Sequence, residues 1–322
     1  MAAKSRRKRR TNRRRNKTTL LICAIAEIIV LLTLVVVIGW NYGISGWFQG
    51  FQRPVIRELD LSGINSSHAL LMQAKGGKVI GEIGGDERIY PASLTKMMTA
   101  IVAIEELRSL DQEITLTADM FAELYARDAT QAGFQPDETV RAIDLLYGVL
   151  LPSGAECCIG LANAIAGSEE NFVELMNKKA ARIGMDNTHF CDTTGLHDPE
   201  HYSTVHDMAI LLKYAIRNDD FREIIESPWH STPGTNIHPG GITYYSTMFN
   251  ALPDPNVTGG RILGGKTGYT NEAGLCLASF AEIDGREYIL VTAGAMSGSA
   301  SHVQDAVTIY NRLGEAIENF SN

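Results

Sequence analysis

The spacing of apolar positions changes several times along the chain, and each change marks a different kind of element. From Thr19 to Gly39 the residues are apolar almost without interruption, with Glu27 and Thr33 as the polar exceptions. Wound as a helix, a run of that length spans the ~30 Å hydrocarbon layer of a membrane. Farther on, Ala69–Gln73 and Val79–Glu82 lie on either side of Gly76-Gly77, which predicts a β-hairpin. Met97–Ile104 follows with good helix formers, and helical patterning continues to about Glu226. It includes the apolar run Leu145–Leu151, a helix beginning near Cys157, and a helix Val205–Arg217 capped by Ser203 or Thr204. Pro228–Asn256 is rich in proline, glycine and threonine and reads as irregular. A strand is expected near Lys266, and Leu275–Ala281 and Tyr288–Ala293 then flank Asp284-Gly285, a strong hairpin signal. A last helix is expected from about Ser301 to Phe320. Strands near both ends with helices between them predict an α/β fold of the α+β kind. One mainly antiparallel sheet would be assembled from distant segments and flanked by helices, with a helical subdomain against it and a cleft between the two.

Charge adds a topology to this picture. Residues 1–17 carry ten basic side chains and no acidic one. A basic flank beside a spanning segment places the N-terminus in the cytoplasm and everything after Trp40 outside. Trp40, Tyr42, Trp47, Phe48 and Phe51 suit the outer membrane interface. The expected organisation is a basic cytoplasmic tail (1–17), a transmembrane anchor (18–40), a linker (41–57) and an extracytoplasmic domain (58–322). The apolar run exceeds the core of about 7–15 residues typical of a cleaved signal peptide. Only Gly43-Ile44-Ser45-Gly46 offers small residues for cleavage, so the anchor is read as retained, in a single-pass protein of the cell membrane. Glu27 marks either a helix partner or a tolerated imperfection.

Beyond the anchor the chain has 19 basic and 36 acidic side chains, a net charge of −17, which argues against nucleic acid as a partner. The five cysteines form no C-x-x-C pair and make no sulfur-bound zinc site. Cys23 falls in the anchor, and the others read as small buried hydrophobes, although a bond from Cys157 or Cys158 to Cys191 or Cys276 stays open outside the cell. His197, His201 and His206 lie close together, but their spacings are not those of helical metal ligands and Pro199 interrupts them. Glu174 to Asn177 falls within a helical pattern and reads as structural.

Ser93-Leu94-Thr95-Lys96 carries the most specific chemistry. A serine hydroxyl is a weak nucleophile until a base removes its proton. A lysine serves as that base only when neutral, which requires burial or nearby positive charge to lower its pKa from ~10.4. Three residues apart at the start of a helix, Ser93 and Lys96 would share one face, beside backbone N–H groups that favour a developing oxyanion. Alone the spacing also fits an N-cap serine with a solvated lysine. Ser153-Gly154 after Leu151-Pro152, and Lys266-Thr267-Gly268 after Gly264-Gly265, complete a set in the order known for penicillin-binding proteins and class A β-lactamases.

The resemblance extends further. Pro91–Thr99, Asp144-Leu145-Leu146-Tyr147-Gly148, Phe172–Asn177, Thr194–Asp198, His201–Thr204 and Lys266–Thr270 are all similar to the serine D-alanyl-D-alanine carboxypeptidases, the low-molecular-weight penicillin-binding proteins. The similarity runs from about Glu58 to about Gly314. It implies a β-lactamase/transpeptidase-like fold and a hydrolase that removes the terminal D-alanine of peptidoglycan stem peptides and is acylated by β-lactams. No metal or organic cofactor is implied. On the matching positions, Ser93 would attack, Lys96 would take its proton and Ser153 would relay a proton to the leaving amine with help from Lys266. Lys266 and Thr267 would bind the terminal carboxylate, and the N–H groups of Ser93 and Tyr269 would form the oxyanion hole. Gly264, Gly265 and Gly268 would let substrate lie beside the strand as an added strand. Two positions depart. Ala155 stands where the family usually has asparagine, with Glu156 next to it, and His302 stands near a place that many relatives give to arginine. A β-lactamase-like hydrolase, a catalytically weak wall-binding module and a histidine-based metallopeptidase are the competing readings.

Overall fold

The structure, a computed structural model, describes residues 58–321 together with Ile28, Ile29 and Thr33. The expected tail, anchor and linker otherwise lie outside the described residues. Among the described residues no helix is long and apolar enough to cross a membrane.

Residues 58–320 form one compact unit around a six-stranded antiparallel sheet. Its strands are β1 (His68–Gln73), β2 (Val79–Ile83), β7 (Asn256–Val257), β8 (Gly260–Thr270), β9 (Gly274–Ile283) and β10 (Arg286–Ala295), in the order β2-β1-β10-β9-β8-β7. The first hairpin closes onto the last, with Leu70 opposite Val291 and Leu71 opposite Leu290. The sheet is buried on both faces because alternate side chains point opposite ways. Leu70, Met72, Phe280, Ile289 and Val291 face the helical half of the molecule. Leu71, Leu277, Ala281, Tyr288 and Leu290 meet Val303, Ile309, Tyr310 and Leu313 of the C-terminal helix. Each large aliphatic side chain so buried contributes about 1.5–3 kcal/mol.

The helical half lies between the two hairpins. A 3₁₀ turn (Ala92–Thr95) leads into α1 (Lys96–Glu106), followed by β3 (Glu113–Leu116), α2 (Asp119–Ala126) and β4 (Glu138–Arg141). Next come α3 (Ala142–Leu150), α4 (Ala155–Ala166), α5 (Glu169–Ile183), α6 (Val205–Ala215) and α7 (Asp219–Glu226). Thr204 is the residue that caps α6, its hydroxyl accepting from the Asp207 N–H. Asn177 lies within α5 and binds the backbone of Phe190 through both side-chain atoms, a structural task.

The segment read as irregular is more ordered than its composition suggests. β5 (Trp229–Ser231) pairs with β6 (Thr243–Tyr245), and α8 (Thr247–Ala251) follows. Strands of three residues leave no periodic trace in sequence. A distant partner holds β5 instead, His230 Nε2 lying 2.7 Å from Asp144, and the loop between the two strands is tied by His238 Nδ1, 2.9 Å from Glu138. The C-terminal helix α9 runs Ser301–Ser321. β3 and β4 pair with each other inside the stretch expected to be helical, again because each is only four residues long.

Candidate active site

The sequence places Ser93 at the N-terminus of an α-helix. In the structure it sits instead in the 3₁₀ turn, and α1 begins at Lys96. The cause lies one residue earlier, where Ala92 is held at φ 48°. A non-glycine residue in that region costs on the order of 1–3 kcal/mol and persists only where neighbours enforce it. Gly195 is such a neighbour: at φ 81°, it packs so closely that a Cβ there would lie 1.9 Å from the Ala92 carbonyl oxygen. The turn leaves the Ser93 hydroxyl half-buried at the mouth of α1 and brings Lys96 Nζ within 3.0 Å of its Oγ.

Lys96 is only 3% exposed. Its Nζ also donates to the Thr194 carbonyl oxygen at 2.6 Å. That carbonyl belongs to a loop fixed by Asp192, whose Oδ1 accepts from the backbone N–H groups of Thr194 and Gly195. Burial lowers the Lys96 pKa, against opposing pulls from Cys158, Asp192 and Glu156.

A second serine–lysine pair stands across the cleft. Ser153, at φ 74°, follows α3, and its Oγ lies 3.0 Å from Nζ of Lys266 on β8. Lys266 is fully buried, and burial together with the charge of Lys96 lowers its pKa well below the ordinary lysine value. The next residue, Thr267, shares a 2.6 Å hydrogen bond with Thr247 of α8. At Gly268 the strand passes so close to the nucleophile turn that a Cβ would lie 3.0 Å from the Ser93 backbone nitrogen. Tyr269 is 59% exposed and its hydroxyl donates to Asn271. Among the described strands, β7 pairs with β8 only at Gly260 and Arg261, leaving the outer edge of the later residues without a strand partner.

Two cavities meet at Ser93. The smaller, about 280 Å³, is lined by Ser153, Thr247, Thr267, Ser299 and His302 among others. The larger, about 580 Å³, runs from Lys96 and Ala155 past Thr194 to Arg127, Asp128, His197 and Glu272. A half-buried serine hydroxyl, a buried amine beside it, a second hydroxyl–amine pair and an open strand edge suit acyl transfer to and from a serine.

Comparison with known proteins points to the same chemistry. The sequence profile described as D-alanyl-D-alanine carboxypeptidase matches residues 56–297. The chain belongs to the D-alanyl-D-alanine carboxypeptidase family. It is 29% identical to the D-alanyl-D-alanine carboxypeptidase DacF of Bacillus subtilis over 73% of this chain and 59% of that protein. It is 38% identical to DacC of Escherichia coli over 46% of this chain and 39% of that one. The chain thus spans well under two thirds of the length of these relatives. Among solved structures, a DD-transpeptidase from Streptomyces superposes with a TM-score of 0.73 at 27% identity, covering 80% of this chain and all of the other.

Against the carboxypeptidase family pattern, Ala155 is buried and lines the larger cavity without a polar atom of its own. The neighbouring Glu156 does not take over that place. Its Oε1 accepts from the Ala132 and Gly133 N–H groups at 2.7 and 2.9 Å, and its Oε2 is buried without a partner. Burial pushes this carboxyl's pKa up.

The three clustered histidines go to separate partners. His201 is 2.8 Å from Thr95 Oγ1, His206 is 3.0 Å from Asp86, and His197 packs edge-on against Tyr90. Cys157, Cys158, Cys191 and Cys276 are free thiols, so the pairing left open by the sequence is not made. Burial pushes the Cys158 and Cys276 thiols up to about 12, which makes them poor nucleophiles. Sequence reasoning missed Thr130, Thr247 and the Thr194 carbonyl as parts of the cleft. Thr130 and Thr247 lie in stretches with no motif, and a backbone carbonyl leaves no mark on residue type.

Proposed function

We propose that this protein is a serine D-alanyl-D-alanine carboxypeptidase that removes the terminal D-alanine from peptidoglycan stem peptides and is acylated by β-lactams. The 3.0 Å approach of a buried lysine to a half-buried serine that follows a strained alanine is the observation that carries this reading. In this mechanism Lys96, its pKa lowered by burial, takes the Ser93 proton as Oγ attacks the carbonyl of the penultimate D-alanine. The N–H groups of Ser93 and Tyr269 receive the oxyanion, each such donor stabilising the transition state by about 2.7–4 kcal/mol. Ser153 passes a proton to the departing amine, with Lys266 behind it. Thr267 and Lys266 meet the substrate's carboxylate, whose charge restores the proton that burial disfavours on Lys266. The free edge of β8 accepts the peptide backbone, and water then hydrolyses the ester.

Residues 18–40 serve as the membrane anchor in this reading, with the enzyme on the outer side of the cell membrane. Incubation with a synthetic peptide ending in D-alanyl-D-alanine tests the activity. Free D-alanine is expected from the wild-type protein and none from Ser93→Ala. A second reading, a catalytically weak wall-binding module, is favoured by Ala155 alone. Slow penicillin labelling with no D-alanine release would select it.

A further inference from the structure

Ser93, Tyr269 and Thr130 line both cavities of the cleft. The mechanism above gives tasks to Ser93 and Tyr269 and none to Thr130. The start of α4 fixes Thr130 in place, the Ala155 N–H donating to its carbonyl oxygen at 2.8 Å. Farther along the same loop, Glu156 Oε1 gathers the Ala132 and Gly133 N–H groups at 2.7 and 2.9 Å. Gly154 admits the loop this closely, since a Cβ there would lie 2.8 Å from that of Ala132. The loop is therefore tied to the segment that follows Ser153. The other hydroxyls of the larger cavity are engaged within the protein. That of Ser93 meets Lys96, that of Thr194 meets Asp192, that of Tyr269 meets Asn271, and that of Thr270 accepts from the Ala273 N–H. Thr130 is exposed, and among the described residues its hydroxyl has no hydrogen-bond partner.

We infer that the Thr130 hydroxyl hydrogen-bonds the ligand amide next to the reacting carbonyl, on the side retained in the acyl-enzyme, and that Glu156 positions it by holding the loop. The inference rests on the carboxypeptidase reading, which lays the peptide along the free edge of β8 with its anionic end toward Lys266. An extended peptide carries N–H and C=O groups along both of its edges, and β8 satisfies only one of them. Amide groups on the other edge turn toward the helical half, and an amide buried there without a partner weakens binding. Ala155 lines that wall without a polar side-chain atom to offer. Thr130 stands beside it, where a ligand passes Ser93 from one cavity into the other. A hydroxyl both donates and accepts, so it meets either half of an amide. The substrate then touches a residue of the loop between α2 and β4 as well as β8 and the nucleophile turn. Glu156 acts on the reaction only through that loop.

The test compares acylation of the full chain by two ligands. One is a penicillin with an acylamino side chain; the other is the parent penicillin nucleus, which has a free amine in place of that amide. Thr130→Val keeps the branched shape at an exposed position and removes only the hydroxyl. It should slow acylation by the amide-bearing penicillin about three- to tenfold, the worth of one uncharged hydrogen bond, and leave the rate with the parent nucleus unchanged. Thr130→Ser should restore the ratio of the two rates. Glu156→Leu frees the loop and should lower the same ratio, with no further fall when it is combined with Thr130→Val. Glu156→Gln keeps an acceptor for the Ala132 and Gly133 N–H groups and should hold the ratio. A fold that is merely loosened slows both ligands together, so the ratio isolates the contact. Equal slowing of both ligands by Thr130→Val, or slowing of neither, would overturn the contact. A ratio unchanged in Glu156→Leu would remove the positioning role. Failure of either ligand to acylate the unaltered chain would sink the carboxypeptidase reading itself, and this inference with it.

Discussion

The two serine–lysine pairs of the cleft have the same geometry and opposite origins. In each, a buried Nζ stands 3.0 Å from a serine Oγ, and a left-handed φ falls at the residue before Ser93 and at Ser153 itself. Ser93 and Lys96 are three residues apart, so a single turn of chain joins them, with Gly195 packed against that turn at Ala92. Ser153 and Lys266 are 113 residues apart and meet only because β8 is seated in the sheet opposite the end of α3. The local pair faces the large cavity of mixed charge, and the distant pair adjoins the small one suited to an anion. In the proposed mechanism the first pair makes and breaks the ester, while the second manages the leaving group and carboxylate.

Substitutions test that division. Lys96→Met removes the base and should lower acylation by about 10²–10⁴-fold, measured as the rate of fluorescent-penicillin labelling. Lys266→Met or Ser153→Ala should cost less in the chemical step and more in affinity for carboxylate-bearing ligands. A loss from Lys266→Met equal to that from Lys96→Met would erase the distinction.

Gly195→Ala should destabilise the nucleophile turn by at least the ~1–3 kcal/mol of an unfavourable φ, and labelling should fall with the thermal midpoint. An unchanged midpoint would show that the turn does not depend on that contact. Ala155→Asn would place a donor–acceptor side chain in the large cavity. It should raise turnover of stem peptide about tenfold, the low end of what one charge-assisted hydrogen bond is worth. A fall would mean that the site is built around alanine.

The smallest effect concerns pH. Both amines have pKa values lowered by burial, so the unfolded chain binds more protons than the folded one between the lowered value and ~10.4. Stability against denaturant should therefore rise with pH through that window, and the slope should shrink in Lys266→Met. A slope that the substitution leaves unchanged would show that Lys266 is not the source.

The same contrast explains what sequence could reveal. The hairpins around Gly76-Gly77 and Asp284-Gly285, the helical middle and the last helix were readable because each has its own period or turn signal. β5 and β6 were not, being short and held through His230 and Tyr244 by Asp144 from elsewhere in the chain. Within the site, the spacing of Ser93 and Lys96 alone fits a capping serine with a solvated lysine equally well, so both pairs take their roles from the family resemblance, and Ser153 and Lys266 meet only in three dimensions. The 3₁₀ turn at Ser93 escaped detection because its cause, the packing of Gly195 against Ala92, is a contact between residues far apart in sequence.

The central claim, that Ser93 is the atom donor to the acyl-enzyme, is most directly tested by mapping a covalent penicillin adduct. After brief exposure to penicillin and proteolysis, mass spectrometry should find the added mass on the peptide containing Ser93, and Ser93→Ala should carry none. An adduct on Ser153, or one that persists in Ser93→Ala, would contradict the account.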